Sequence, residues 1–212
     1  MVKFEVVQGD ILEQEVDAIV NAANQNLRGG GGVDGAIHTA CGKELDDECK
    51  ELGGCSTGKV KLTKSYDLEN RGIGWVIHAV GPKYSGGMYF EADLLKDAYE
   101  AALSVTLNPE AFYEEQCLYV LDKYIGHLED IAKYAYVKET KEEVKAYCGD
   151  FPIKSIAFPS ISTGIYGYPL DEAAKIAVRA IRGFCRRNNH LDRVVMVCYD
   201  QATYNAYKKL VE

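Results

Sequence analysis

Residues 16–42 read VDAIVNAANQNLRGGGGVDGAIHTACG, with four consecutive glycines, Gly29 to Gly32, between an asparagine pair, Asn21 and Asn24, and Asp34. So many adjacent glycines cost backbone entropy, and their use is to let main chain approach another group closely. The apolar run Ala18-Ile19-Val20 reads as a short buried strand and Val33 to Ala40 as the opening of a helix, so the glycines join a strand end to a helix start. Backbone N–H groups in such a place point outward and favour an anion.

Upstream, Phe4 to Gln8 reads as a strand. Downstream, Glu44 to Leu52 has helical spacing, and Val60 to Thr63 and Trp75 to Val80 are the next strands. Ala92 to Val105 is a helix with Leu94, Leu95, Ala98, Ala102 and Val105 on one side. Ile156 to Phe158 and Val194 to Tyr199 are strands, and Leu170 to Arg187 and Gln201 to Val211 are helices. Strands that alternate with helices predict an α/β layered fold, with a mixed central sheet and helices on both faces.

The chain has 212 residues, 47% apolar and 26% charged, which suits a single globular domain spanning residues 1–212. No apolar run reaches membrane length and the first ten residues lack the parts of a secretory signal, so cytoplasmic residence is expected. The seven cysteines form no CxxC pair and no zinc spacing, so reduced thiols are expected and neither a metal nor a cofactor. A net charge of −8 argues against nonspecific nucleic-acid binding. It does not argue against a small anion, because glycine-loop amides and helix N-termini hold phosphate without lysine or arginine.

A second loop, SISTGIYGYP at residues 160–169, places Ser160, Ser162, Thr163 and Gly164 between a strand and a helix that Pro169 opens. Each loop alone is either an anion site or a tight turn. Together, beyond the carboxyl ends of strands in one sheet, two such loops could clamp a diphosphate.

Six motifs in order carry a family likeness: Gly9-Asp10-Ile11, NAAN at residues 21–24, GGGGVDGAIH at 29–38, the turn Gly54 to Lys59, IHAVGP at 77–82, and SISTGIYGYP. They resemble the macro domain, and within it the branch that hydrolyses ADP-ribose esters. The likeness implies a three-layer α/β fold that binds ADP-ribose and its O-acyl esters, with mono-ADP-ribosylated proteins as further candidate partners. It implies that Asp10 accepts a hydrogen bond from the adenine amino group and that Ile11 offers backbone contact there. Tyr199 would stack on the adenine, or else simply pack at a strand end. Gly29, Gly30, Gly31, Gly32 and Val33 would line one side of the diphosphate, with Ser160, Ser162, Thr163, Gly164, Ile165 and Tyr166 on the other, Tyr166 beside the distal ribose.

Chemistry in this branch would rest on Asn24 and Asp34. Asn24 donates and accepts at once and can fix a ribose hydroxyl, or is an Asx-turn residue. Asp34 lies where a helix start favours negative charge, and either orients a water or caps the helix. His38 and His78 read as hydrogen-bonded core histidines, Asn21 as a tie between the strand end and neighbouring backbone, and Cys41, Cys49 and Cys55 as packed or idle thiols.

The segment from about Asn108 to Cys148 departs from the usual family length. Tyr113, Cys117, Leu121, Tyr124, Leu128, Ile131 and Ala135 recur at helical spacing, which predicts an ordered helical insertion that Gly126 kinks or divides. Entering between a helix and a strand, it should emerge away from the ligand loops, packed on the core or on another subunit. Two functions remain: a hydrolase of O-acyl-ADP-ribose or of ADP-ribosyl esters on acidic side chains, or a reader that binds ADP-ribose without turnover.

Overall fold

Strands β1 (Lys3–Gln8), β2 (Ala18–Ala22), β3 (Val60–Lys64), β4 (Trp75–Ala79), β5 (Ser155–Phe158) and β6 (Arg193–Cys198) make one sheet in the order β1-β6-β5-β2-β4-β3. Five strands run parallel and β3 pairs antiparallel to β4, so the sheet is mixed, as expected. The computed structural model describes residues 2–211; Met1 and Glu212, the ends of the expected 1–212 domain, lie outside the described residues.

Alternation along each strand serves two cores. Ala18 and Val20 of β2 and Trp75 and Ile77 of β4 face one core, with α3 (Glu91–Val105), α6 (Leu170–Arg187) and α7 (Gln201–Val211) over it. Ile19 and Val76 face the other, covered by α1 (Val33–Cys41) and α2 (Lys43–Leu52). Both faces of the central strands are therefore dry, which explains their near-continuous apolar sequences. Among the described residues, no helix is long and apolar enough to cross a membrane, and the seven cysteines are free thiols.

Residues 109–150 form two helices, α4 (Pro109–Ile125) and α5 (Asp130–Asp150), divided after Gly126. Asn108 caps α4 by accepting the N–H of Ala111. The pair lies along the free edge of β3. There the side-chain amide of Gln116 accepts the N–H of Leu62 at 3.2 Å and donates to its carbonyl at 2.7 Å. One side chain thus satisfies backbone groups that an edge strand would otherwise offer to another chain. Tyr113 and Tyr147 pack edge-on against Trp75, with ring centroids 5.1 and 4.8 Å away.

The expected ordered helical insertion, divided near Gly126, is present, but its apolar positions are not all covered. Tyr113, Gln116, Ile125 and Val144 are the buried positions of α4 and α5, whereas Ile131 is 87% exposed and Ala135 also faces solvent. These positions stay open because the two helices pack chiefly on each other, and the start of α5 faces solvent. No residue of α4 or α5 borders the clefts described below.

Glu48 ties this hairpin down. Its carboxylate accepts from the hydroxyls of Tyr113 (2.7 Å) and Tyr66 (2.8 Å) and from the N–H of Lys64 (3.2 Å). Burial is the largest influence and pushes its pKa above the ordinary 4.5, with the three hydrogen bonds opposing. A raised carboxyl pKa means the group favours the folded state at low pH and loses that contribution as pH rises through the folded value. The Tm of Glu48→Gln, measured against wild type by calorimetry, is therefore expected to gain as pH climbs from 4.5 to 7. A gap independent of pH would show that the carboxyl is not strained by burial.

Candidate functional site

The C-terminal ends of β1, β6, β5 and β2 lie side by side, and their loops enclose two adjoining clefts that share Gly32, Val33, Ser160 and Gly164. The inner cleft, about 280 Å³, is bordered by Asn24, Gly30 to Asp34, Ser162 and Gly164 to Tyr166. The outer one, about 470 Å³, is bordered by Asp10, Ile11, Thr163 and Tyr199. Every expected site residue except Gly29 borders one of the two. Gly29 sits behind, where an added Cβ would meet the His38 ring at 3.1 Å.

Asp34 is 5% exposed and caps nothing; Gly32 holds the N-cap position, and the carboxylate turns back into the loop. Its Oδ2 accepts the N–H of Gly30 at 2.9 Å and the amide of Asn24 at 3.1 Å, and its Oδ1 accepts the amide of Asn21 at 2.6 Å. The loop can close this tightly because residue 35 is glycine: a Cβ there would lie 2.3 Å from the carbonyl of Gly30. Among the described residues the N–H groups of Gly31, Gly32 and Val33 donate to no other group of the chain, and those of Gly164 and Ile165 opposite are likewise unengaged. Two sets of unengaged amides border one cleft, a lining whose chemistry suits an anion.

Asn24 does more than border the cleft. Its amide donates to the carbonyl of Arg28 as well as to Asp34, while its Oδ1 accepts the N–H groups of Asn26 and Arg28. Asn21 corrects the reading from sequence: it ties not to backbone but to the side chains of Asp34 and His78.

In the second loop Ser162 has φ 68 and a buried hydroxyl with no partner, while Thr163 and Ser160 are tied to each other and Ser160 to Tyr207. Gly81 lies beneath it. A Cβ at that position would fall 2.2 Å from Ser162 Oγ, so the floor of the cleft requires glycine. Gly81 falls within IHAVGP, the sequence signal that marks this position. In the outer cleft, Asp10 caps the turn Ile11–Glu13 through the N–H of Leu12, and Tyr199 is 84% exposed. Tyr199 does not pack at the end of β6, so its ring is free to stack. Asp200 and Thr203, unremarked in the sequence, complete this wall.

The sequence offered no metal spacing, yet folding brings His38, Cys49 and His78 together, their donor atoms within 4.8 Å of one another. Among the described residues this is the grouping suited to a cation. Both nitrogens of His78 are already engaged, by Asn21 at 3.2 Å and Thr63 at 3.0 Å. Burial, followed by the nearby His38, pushes the His78 pKa down to about 3, and burial raises the Cys49 thiol far above its usual value. The cluster is therefore a hydrogen-bonded core behind Asp34. His38 belongs to it, with Nδ1 2.5 Å from Asp46 and Nε2 3.6 Å from Asp34.

The Macro domain family profile matches residues 20–177, which include the glycine loop, Gly81 and the Ser160–Tyr166 loop. The chain belongs to the macro domain family. A macro domain-containing protein of Chlorobaculum tepidum is 38% identical over 208 residues, covering 98% of this chain and 95% of that protein. An O-acetyl-ADP-ribose deacetylase of Salmonella gallinarum is 39% identical over 213 residues, covering 99% and 94%. Among solved structures, the Oceanobacillus iheyensis macrodomain with ADP superposes with a TM-score of 0.71 at 32% identity, covering 97% of this chain and 88% of that one. The Trypanosoma brucei macrodomain in complex with ADP-ribose gives 0.70 at 31%, covering 98% and 68%. The expected macro-domain fold is the one this chain adopts.

Proposed function

We propose that this macro domain binds ADP-ribose and hydrolyses esters on its distal ribose, deacylating O-acyl-ADP-ribose or releasing mono-ADP-ribose from acidic side chains, in the cytoplasm. The observation that carries this reading is the Asp34 carboxylate, buried, held on both oxygens, and set at the wall of a cleft lined by unengaged amides. A reader module needs only the amides and the outer cleft. The relatives named O-acetyl-ADP-ribose deacetylase support the enzyme over the reader.

In this reading Asp10 and Tyr199 hold the adenine in the outer cleft. The diphosphate spans Gly31 to Val33 and Gly164 to Ile165, and Tyr166 flanks the distal ribose. Asn24 positions the carboxylate, and holds a ribose hydroxyl by exchanging one of its bonds within the loop for the substrate. With its oxygens already accepting hydrogen bonds, Asp34 orients the attacking water more than it deprotonates it, and an oxygen of the substrate's own phosphate takes the proton. Water adds to the ester carbonyl, main-chain amides stabilise the charge on oxygen, and the ribose hydroxyl leaves as the tetrahedral centre collapses to the acid.

Incubating the purified protein with O-acetyl-ADP-ribose and with a protein carrying ester-linked ADP-ribose, and following free ADP-ribose in both, tests the proposal. Turnover of at least one ester is expected. Tight ADP-ribose binding with neither ester cleaved would leave the reader.

A further inference from the structure

Met88, Tyr89 and Phe90 are consecutive large apolar side chains, 78%, 65% and 77% exposed. They lie on the connection from β4 to α3, which leaves the sheet at the C-terminal end of β4, beside β2 and at the end where the two ligand loops gather. Isolated apolar residues on a surface need no explanation, but three in a row on the connection whose base floors a cleft mark a contact surface.

The loop that carries them is built to hold them out. The Glu91 carboxylate, itself buried, accepts the N–H groups of Ser85 (3.0 Å), Gly87 (3.2 Å) and Tyr89 (2.6 Å). Phe90 is kept at φ 58, a conformation that a bulky residue holds only when its surroundings enforce it. The base of the loop is part of the site wall. Gly81 floors the inner cleft, Lys83 Nζ lies 5.5 Å from the centroid of the Tyr166 ring, and the N–H of Tyr84 donates to the Tyr166 carbonyl at 2.9 Å. The Tyr84 ring also packs on Tyr168, 4.9 Å away. The apolar residues are thus fastened to the segment proposed to flank the distal ribose.

We propose that Met88, Tyr89 and Phe90 form a rigid apolar rim that receives the polypeptide bearing an ester-linked ADP-ribose, favouring modified protein over small O-acyl-ADP-ribose. This rests on the hydrolase reading above. An acetyl ester ends two carbons beyond the ribose oxygen, within the cleft. A modified aspartate or glutamate continues as a polypeptide that must leave the cleft across its rim, where exposed aromatic and methionine side chains are the types enriched in protein contacts. Because Glu91 has already ordered the loop, little conformational entropy remains to be lost on contact.

The test compares wild type with Met88→Ser/Tyr89→Ser/Phe90→Ser on ADP-ribosylated protein and on O-acetyl-ADP-ribose. The rim predicts at least a tenfold loss of kcat/KM on the protein substrate, carried by KM, with O-acetyl-ADP-ribose turnover unchanged within twofold. Equal loss on both substrates, or loss on neither, overturns it. Met88→Ser alone, which leaves the αL residue untouched, is expected to show a smaller loss with the same selectivity and guards against misfolding of the triple variant. If wild type cleaves neither ester the hydrolase reading fails separately, and affinities then decide the rim. Wild type binding ADP-ribosylated protein tenfold more tightly than free ADP-ribose, with the triple variant showing no such preference, supports it; equal affinities overturn it.

Discussion

Asp34→Ala and Asn24→Ala are each expected to cut ester hydrolysis by roughly a hundredfold or more, the usual scale for removing a group that positions a proton transfer. The geometry sharpens the expectation. Asp34 accepts from Gly30, Asn24 and Asn21 but from none of the Gly31 to Val33 amides, so its loss removes the group proposed to hold the water and leaves those amides in the cleft wall. ADP-ribose affinity, measured by calorimetry, should fall far less than single-turnover hydrolysis, because the amides of Gly31 to Val33 and the outer cleft remain. That split marks side chains whose contribution is greatest in the transition state. The double variant should lose less than the product of the single losses, since the two side chains are hydrogen-bonded to each other at 3.1 Å. Parallel loss of binding and hydrolysis would reduce both residues to loop scaffolding.

Gly164→Glu is expected to abolish ADP-ribose binding while leaving the fold intact. Gly164 borders both clefts, and a Cβ built there meets nothing within 4 Å, so the new side chain enters the cleft without colliding with the protein. A carboxylate about 5 Å from a diphosphate charge repels it by about 3 kcal/mol per unit charge at an effective dielectric of about 20, which is more than a hundredfold in affinity. Gly164→Ala should bind nearly normally, separating charge from bulk. An unchanged Tm with undetectable calorimetric heat is the expected result for Gly164→Glu. Unchanged affinity would place the diphosphate elsewhere.

Much of the architecture was legible because it follows from local periodicity. The helices and strands fall within a residue or two of the expected bounds, since an apolar stripe or a run such as Ile19-Val20 encodes burial directly. The apolar positions of α4 and α5 that stay open do so for a reason sequence cannot contain. Periodicity says that a face is apolar, whereas only the packing decides whether another layer exists to cover it, and Ile131 finds none. The short 3₁₀ turns at Ile11–Glu13 and Tyr66–Arg71 carried no periodic signal at all.

The residues of the site divide in the same way. The glycine run, Asn24, Asp34 and the Ser160–Tyr166 loop stood out by themselves, because a ligand loop at the junction of strand and helix is a local object with a local composition. What those side chains do to one another was decided by the tertiary structure. Asn21 reaches Asp34 and His78, Gly81 is obligatory because Ser162 lies over it, and His38, Cys49 and His78 form one buried cluster from three separated segments. Hydrogen bonds and steric exclusion act over a few ångströms of space, so partners from distant parts of the chain leave no trace in spacing. This sequence by itself determined which two loops gather at one end of an α/β sheet and border its clefts. Only the folded chain decided which amides stay free to bind it, how Asp34 is held, and that Met88, Tyr89 and Phe90 stand on the connection fastened to Tyr166.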